Sequence, residues 1–324
     1  MSGPVRHRED RRGIALQAGA ILILLLLQFV LPDYHHTNVA RILVLATFAA
    51  GYNLLLGYTG LLSLGHAMFF AAGLYGAGLS AQHLGLPMPA AFLAGVLAGL
   101  TFSILVGLVA LRTTGVAFMI VTLMLAQACF LIILYFNDFT RGDEGFVLSA
   151  EMRRGTIFGF GYDLSDPNVR YGLALLLFAV ASTGCYRLVC SPVGRVLVAI
   201  RENEARTAML GYRTFLYKLF ALGLSGTISA SAGAAYGLLF SYVGATFASI
   251  QYSILPLLWV LLGGAGTILG PLLGALLMFY IVEFASEQTS SYMLVVGAAL
   301  LLLVMFFPKG ILGTLRDRYW RWLP

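Results

Sequence analysis

The chain has 324 residues, 60% of them apolar and only 10% charged, with a formal net charge of +6 and a mean hydropathy of +0.88. Soluble domains are about a quarter charged, so the composition argues against a water-soluble enzyme and for an integral membrane protein from end to end. Three cysteines make no disulfide framework, low-hydrophobicity stretches are too short for a disordered chain, and the basic residues, nearly all arginine, gather in the two tails and one loop rather than on a nucleic-acid surface.

In chain order, the tail 1–13 carries Arg6, Arg8, Arg11 and Arg12 against Glu9 and Asp10, which places the N-terminus in the cytoplasm. The apolar run 14–31 is longer than a signal-peptide core and no A-x-A-like cleavage site follows it, so a retained first span is expected. Further spans are read at 40–57, 65–84, 89–111, 115–136, 170–190, 218–241, 247–263, 267–284 and 291–307. The expected fold is an all-α polytopic membrane protein of ten segments in two related halves, or eight if the segments flanking Gly263 form a re-entrant pair. The transmembrane domain is 14–307, and the cytoplasmic tail 308–324, with Lys309, Arg316, Arg318 and Arg321, wants the side of the N-terminus and hence an even number of crossings. The 137–170 loop then falls outside with six acidic residues against four basic, and the 191–217 loop inside with Arg195, Arg201, Arg206 and Arg213 against Glu202 and Glu204. Glu283 and Glu287 also fall outside.

Small residues recur every fourth position at Gly95, Gly99, Ser103 and Gly107, and again at Ser225, Ser229, Gly233, Gly237 and Ser241. That spacing lines one helix face and is assigned to helix packing in lipid. A second pattern points to function: Leu55-Leu56-Gly57-Tyr58-Thr59-Gly60 is echoed by Leu261-Leu262-Gly263-Gly264-Ala265-Gly266, each break leading to another glycine and another span. Transporters built from two related halves place such interruptions along the substrate path, which makes Gly57, Thr59, Gly60, Ser63, His66, Gly263, Gly264 and Gly266 candidate path residues. A lone histidine at a helix start is more often a cap, so His66 carries both readings.

Much expected chemistry is missing. The spans hold hardly an ionisable side chain apart from His66 and His83, both near span ends, whereas ion-coupled pumps need intramembrane carboxylates or histidines. No metal-ligand cluster and no catalytic motif occurs, so the chain reads as a non-enzyme with no bound cofactor. Its two lysines, Lys218 and Lys309, sit in no phosphate-binding loop, so energy must be borrowed or the chain is a passive pore.

The 191–217 loop favours borrowing. Ser191 is a good N-cap with Pro192 at the first helical position, starting a short helix toward Glu202. Asn203 caps a second from Glu204 to Leu210, which Gly211 ends in a left-handed turn. The alternatives are a solvated basic connector or one lying on anionic lipid.

At this loop the chain resembles the M-type permease subunits of bacterial ATP-binding-cassette importers for branched-chain amino acids. The run Gly194-Arg195 through Ile200-Arg201-Glu202-Asn203-Glu204, then Ala208, Leu210-Gly211-Tyr212 and Tyr217-Lys218, is similar to that family's ATPase-coupling region. So are Gly51-Tyr52-Asn53-Leu54 with Gly57-Tyr58-Thr59-Gly60 and Leu62-Ser63-Leu64-Gly65-His66-Ala67. Arg112-Thr113-Thr114-Gly115, Leu262-Gly263-Gly264-Ala265-Gly266-Thr267 and Phe307-Pro308-Lys309-Gly310 extend the likeness over about 41–313. The resemblance implies a multi-pass subunit of the bacterial inner membrane whose partners are a second, H-type permease, two cytoplasmic subunits that hydrolyse ATP, and a periplasmic solute-binding protein. It implies coupling roles for Arg201, Glu202, Asn203, Glu204, Ala208, Gly211 and Tyr212. Family members often carry Thr-Gly-Gly-type sequence in the outer loop; here Thr140-Arg141-Gly142-Asp143-Glu144 sets an arginine where a small residue is usual, which alters docking of the binding protein unless Arg141 merely pairs with Asp143 or Glu144. The same architecture also serves importers of urea and short amides, and an ion-coupled transporter is the lower-ranked rival.

Overall fold

The computed structural model describes residues 4–30, 32–149, 154–157, 160–288, 294, 297–298, 301, 305–307 and 309–318. Helix α1 runs Pro4–Leu27, and α2 runs Asp33–Asn53 and continues through a π-helical turn at Leu54–Tyr58. Then come α3 Ala67–Leu84, α4 Met88–Ala110, α5 Val116–Tyr135 and the single turn α6 Asn137–Thr140. The outer loop adds β1 Phe146–Val147 and a hairpin of β2 Arg154–Ile157 with β3 Phe160–Asp163. The second half comprises α7 Pro167–Cys190, α8 Pro192–Glu202, α9 Glu204–Met209, α10 Thr214–Phe240, β4 Tyr242–Val243 and a 3-10 turn Ala245–Ala248. It ends with α11 Ile250–Gly263, α12 Gly270–Gln288 and α13 Ile311–Arg318.

The chain is an all-α polytopic membrane protein. Among the described residues six helices are long and apolar enough to cross a bilayer: α2 with its π turn, α4, α5, α7, α10 and α12. The apolar part of α1, Gly13–Leu27, and α11 are shorter, and the tenth expected span, 291–307, lies largely outside the described residues. Two expectations are corrected. Helix α2 begins well before residue 40, because its polar first turns find partners: Asn38 Nδ2 donates to Glu283 Oε1 at 3.1 Å and the His36 ring packs on Tyr171. This draws Arg41 into the body of a span that composition had read as uncharged.

Helix α2 is the axis of the fold, packed against α7, α10, α11 and α12, with Phe48 and Tyr52 fully buried. Helix α10 packs in turn on α3 and α4. The two small-residue stripes pack there on different partners: Gly95, Gly99, Ser103 and Gly107 of α4 and Ser225, Ser229, Gly233 and Gly237 of α10 are all buried, the α4 stripe lying against Ala234, Ala230 and Gly226 of α10 and Gly233 against Phe70 of α3, and Ser103 Oγ donates to Gly223 O at 3.2 Å. Lipid tails are as apolar as leucine, so this close backbone approach, rather than a hydrophobic drive, holds the helices together. Strand β1 pairs antiparallel with β4, Phe146 opposite Val243, which ties the loop after α5 to the loop after α10.

Candidate functional site

The 191–217 loop folds as the sequence requires. Ser191 Oγ accepts from Gly194 N at 3.3 Å with Pro192 at the first position of α8, and Asn203 Oδ1 accepts from Arg206 N at 2.9 Å to start α9. Helix α8 is amphipathic: Val196, Leu197 and Ile200 are buried, while Arg195, Arg201 and Glu202 are exposed. Gly211 closes α9 at φ +89°, a left-handed state that costs an L side chain about 1–2 kcal/mol. Ala208, Met209, Leu210 and Tyr212 are exposed beyond it and form an apolar tip beside Arg206 and Arg213.

Two polar links anchor this helix pair to the bundle. Lys218 Nζ, buried in the first turn of α10, pairs with the half-exposed Glu204 carboxylate at 2.6 Å. Removing the carboxylate would leave a buried ammonium without a counter-charge, which is far costlier than losing an exposed pair. Arg201 Nη1 donates to Gly57 O, and the arginine stem lies against Gly60.

The two glycine breaks that repeat in sequence meet in space. Asn53 bridges them: its Nδ2 donates to Thr267 O at 2.8 Å, and its Oδ1 accepts from Gly266 N at 2.9 Å. A Cβ on Gly57 would fall on the Gly266 backbone and on the Asn53 amide, so only glycine permits the contact. Arg316 of α13 donates to Gly266 O at 3.1 Å. Gly263 and Gly264 lie buried beside the same turn, Gly263 against Gly270 and Gly264 against Gly313. Carbonyls freed where α2 unwinds and where α11 ends are thus answered by side chains from three other elements, as backbone groups in lipid must be.

His66, Ser63 and Thr59 lie deeper. His66 is fully buried at the start of α3, enclosed by Tyr52, Phe48 and Phe69. Ser225 Oγ donates to Gly51 O and Ser229 Oγ to Ser225 O, so both hydroxyls accept from His66 Nε2, at 3.2 and 2.9 Å. The imidazole therefore carries its proton on Nε2 and joins α3 to α10. Tyr52 OH donates to Ser63 O at 2.9 Å, and Thr59 Oγ1 to Leu54 O at 3.1 Å. Across this layer Ala67 N donates to Ser253 Oγ at 3.0 Å, so the N-terminal turns of α3 and α11 meet inside the bundle.

In the loop after α5, Thr140 is buried, its hydroxyl donating to Ile133 O at 2.6 Å and accepting from Gly142 N at 3.2 Å. Arg141, Asp143 and Glu144 are exposed, no ion pair joins them among the described residues, and Arg141 adopts φ +58°.

Sequence reasoning quoted Asn53 and Lys218 only as parts of motifs and missed their roles. The signal for Asn53 was available, since a lone amide inside an apolar run needs partners for both its donor and its acceptor. Arg41 and Arg316 were missed as site residues altogether. Among the described residues no group of three or more His, Cys, Asp or Glu side chains is placed to hold a metal ion.

A family model described as "branched-chain amino acid transport system / permease component" matches residues 37–305. The chain is 29% identical over 290 residues to the high-affinity branched-chain amino acid transport system permease protein LivM of Salmonella typhimurium and to that of Escherichia coli K12, covering 83% of this chain and 67% of each relative. It is 32% identical over 163 residues to the ribose import permease protein RbsC of Haemophilus influenzae, covering 48% of this chain and 49% of that one.

Proposed function

Because the chain belongs to the branched-chain amino acid transport system permease family, we propose that it is the M-type membrane subunit of an importer that passes branched-chain amino acids into the cytoplasm. A second permease completes the path, a periplasmic binding protein delivers the solute, and two cytoplasmic subunits hydrolyse ATP. The observation that carries this reading is the anchored helix pair α8–α9. It is capped at both ends and tied by Arg201 to the glycine junction and by Glu204 to α10, and it presents an exposed apolar and charged tip. A lever must be stiff and must be fastened to what it moves; a loop that merely connected spans or lay on lipid would need neither link.

The topology that fits is ten crossings with both tails inside. At 14 residues α11 reaches about 21 Å at 1.5 Å per residue, short of the roughly 30 Å hydrocarbon layer. The preceding 3-10 turn Ala245–Ala248, packed on α3 and α5, lengthens the segment that runs from β4, paired with the outer loop, to Gly264 at the cytoplasmic junction, and that segment is read as one crossing.

The relatives named for branched-chain amino acids cover the larger share of the chain, and on that ground these solutes are assigned. Similarity to a ribose permease over half the chain argues that the scaffold is compatible with other cargo and that selection lies with the binding protein. The test is reconstitution of the full importer in proteoliposomes with labelled leucine or urea supplied outside and ATP inside. ATP-dependent leucine uptake that requires the binding protein supports the reading. Uptake that persists without the ATPase subunits and collapses with an uncoupler overturns it, and urea uptake in place of leucine overturns the solute.

A further inference from the structure

Helix α2 is enclosed on every side but one. From His36 to Tyr52 its positions that are not buried are Thr37, Arg41 and Leu45, which fall at i, i+4 and i+8 on one face. Arg41 is the charge on that line, and it stands eight residues beyond Asp33, about 12 Å into the helix at 1.5 Å per residue. Its guanidinium carbon lies 5.2 Å from the centre of the Phe240 ring, on which Tyr236 packs at 4.8 Å between ring centres. Phe247 closes the aromatic group, 4.9 Å from Tyr236 and 5.1 Å from Tyr252 between ring centres. All four residues are half-buried, and the contact of Arg41 with Phe240 sets the cluster beside the α2 stripe.

Among the described residues no carboxylate lies within ion-pair distance of Arg41, and its Nε is buried without a hydrogen-bond acceptor. An arginine drawn to lipid headgroups would extend its fork outward; this one is held over Phe240 with one donor sealed in protein. An ionised side chain inside a span is costly unless something pairs with it, and an aromatic face supplies only part of what a carboxylate would.

The geometry points to Arg41 as the station that receives the carboxylate of the solute in the outer half of the path, with Tyr236, Phe240, Phe247 and Tyr252 receiving its apolar side chain. The assignment rests on the amino-acid reading above and names the part of this chain that contacts the cargo. A planar guanidinium suits a carboxylate bidentately, and aromatic walls exclude water without demanding one side-chain shape. Both suit a solute that must be accepted and then released.

The test uses the whole importer in proteoliposomes with its binding protein, comparing Arg41→Gln, Arg41→Lys and Phe240→Leu with the unaltered chain. Losing a charge-assisted contact predicts a maximal leucine uptake rate lowered about tenfold to a hundredfold in Arg41→Gln, with partial recovery in Arg41→Lys, which restores the charge but not the bidentate fork, and a loss of a few-fold in Phe240→Leu. The half-saturating concentration of loaded binding protein, the ATPase rate it stimulates and the amount of second permease that co-purifies should stay unchanged. Uptake by Arg41→Gln within about twofold of the unaltered chain, or uptake by Arg41→Lys no better than that of Arg41→Gln, overturns the station. Loss of the second permease from the Arg41→Gln complex overturns it in favour of an ion pair with an acidic residue of that subunit. If the unaltered importer carries no amino acid at all, the functional reading fails together with the station; if it does and Arg41→Gln does equally, only the station fails.

Discussion

The packet of α3, α4 and α10 and the junction beside α8 are both built on glycine, yet the backbone does different work in each. In the packet a Cβ on Gly73 would strike the Ala230 carbonyl and one on Gly233 the Phe70 carbonyl, and these oxygens are already bonded within their own helices. Removing the side chain there serves approach alone. In the junction Gly57 and Gly266 also touch backbone, but the helices have unwound, and Asn53, Arg201 and Arg316 supply donors to the carbonyls left open. Contacts of the first kind are satisfied helix by helix and tolerate no rearrangement. Those of the second are made by long side chains on separate elements and can be exchanged, which is what a part that transmits movement needs.

The comparison breaks first in the packet. Gly233→Val places branched carbons on the Phe70 carbonyl and must drive α3 and α10 apart. We expect a loss of about 4 kcal/mol or more, seen as failure to recover monodisperse protein on size-exclusion chromatography in detergent. A well-folded, active Gly233→Val would mean that the packet is plastic. In the junction Asn53→Leu keeps the volume but strips the partners from Thr267 O and Gly266 N. The expected loss is about 1–3 kcal/mol, enough to lower the melting temperature by several degrees while folded protein is still obtained, with transport abolished. Equal damage to folding from both substitutions would erase the distinction.

A finer separation comes from Glu204→Lys. It sets two ammonium groups together where a pair now stands at 2.6 Å, with Lys218 buried and unable to escape into water. Because α9 is an exposed single element, membrane insertion and assembly of the spans should survive, while ATP-driven uptake falls below a tenth of normal, about 1.4 kcal/mol of lost coupling. Normal uptake by Glu204→Lys would remove α9 from the coupling path.

The two kinds of contact were not equally legible in the sequence. The packet was, because it repeats: small residues every four positions need only helical geometry to be placed on one face. The caps of α8 and α9 were too, since Ser191-Pro192 and Asn203 act on backbone within three residues. The echo of Gly57 in Gly263 was visible, but that the two breaks touch, and that Asn53 joins them, depends on a fold that brings position 53 to 267. Arg41 shows the limit from the other side. A hydropathy window saw a polar stretch at His35, His36 and Asn38 and began the span after it; only the partners of those residues, Glu283 and Tyr171, reveal that the helix had already entered the bundle.

The smallest expected effect tests glycine's third use, the left-handed turn. Gly211 and Arg141 occupy the same backbone region, at φ +89° and +58°, one at the inner loop and one at the outer. No atom stands within 4 Å of a Cβ built on Gly211, so a substitution there is felt through the backbone alone. Arg141 already bears that strain, because Thr140 pins the turn through Ile133 O and Gly142 N and leaves the next residue no other conformation. Arg141→Gly relieves it at the expense of a freer unfolded chain, so the net gain is below about 1 kcal/mol and the melting temperature rises by a few degrees at most. Uptake then separates strain from docking. Unchanged transport means that the arginine side chain is a solvated passenger on a turn that prefers glycine, and a raised half-saturating concentration of binding protein, with the maximal rate intact, means that the exposed guanidinium is part of the surface on which that protein lands.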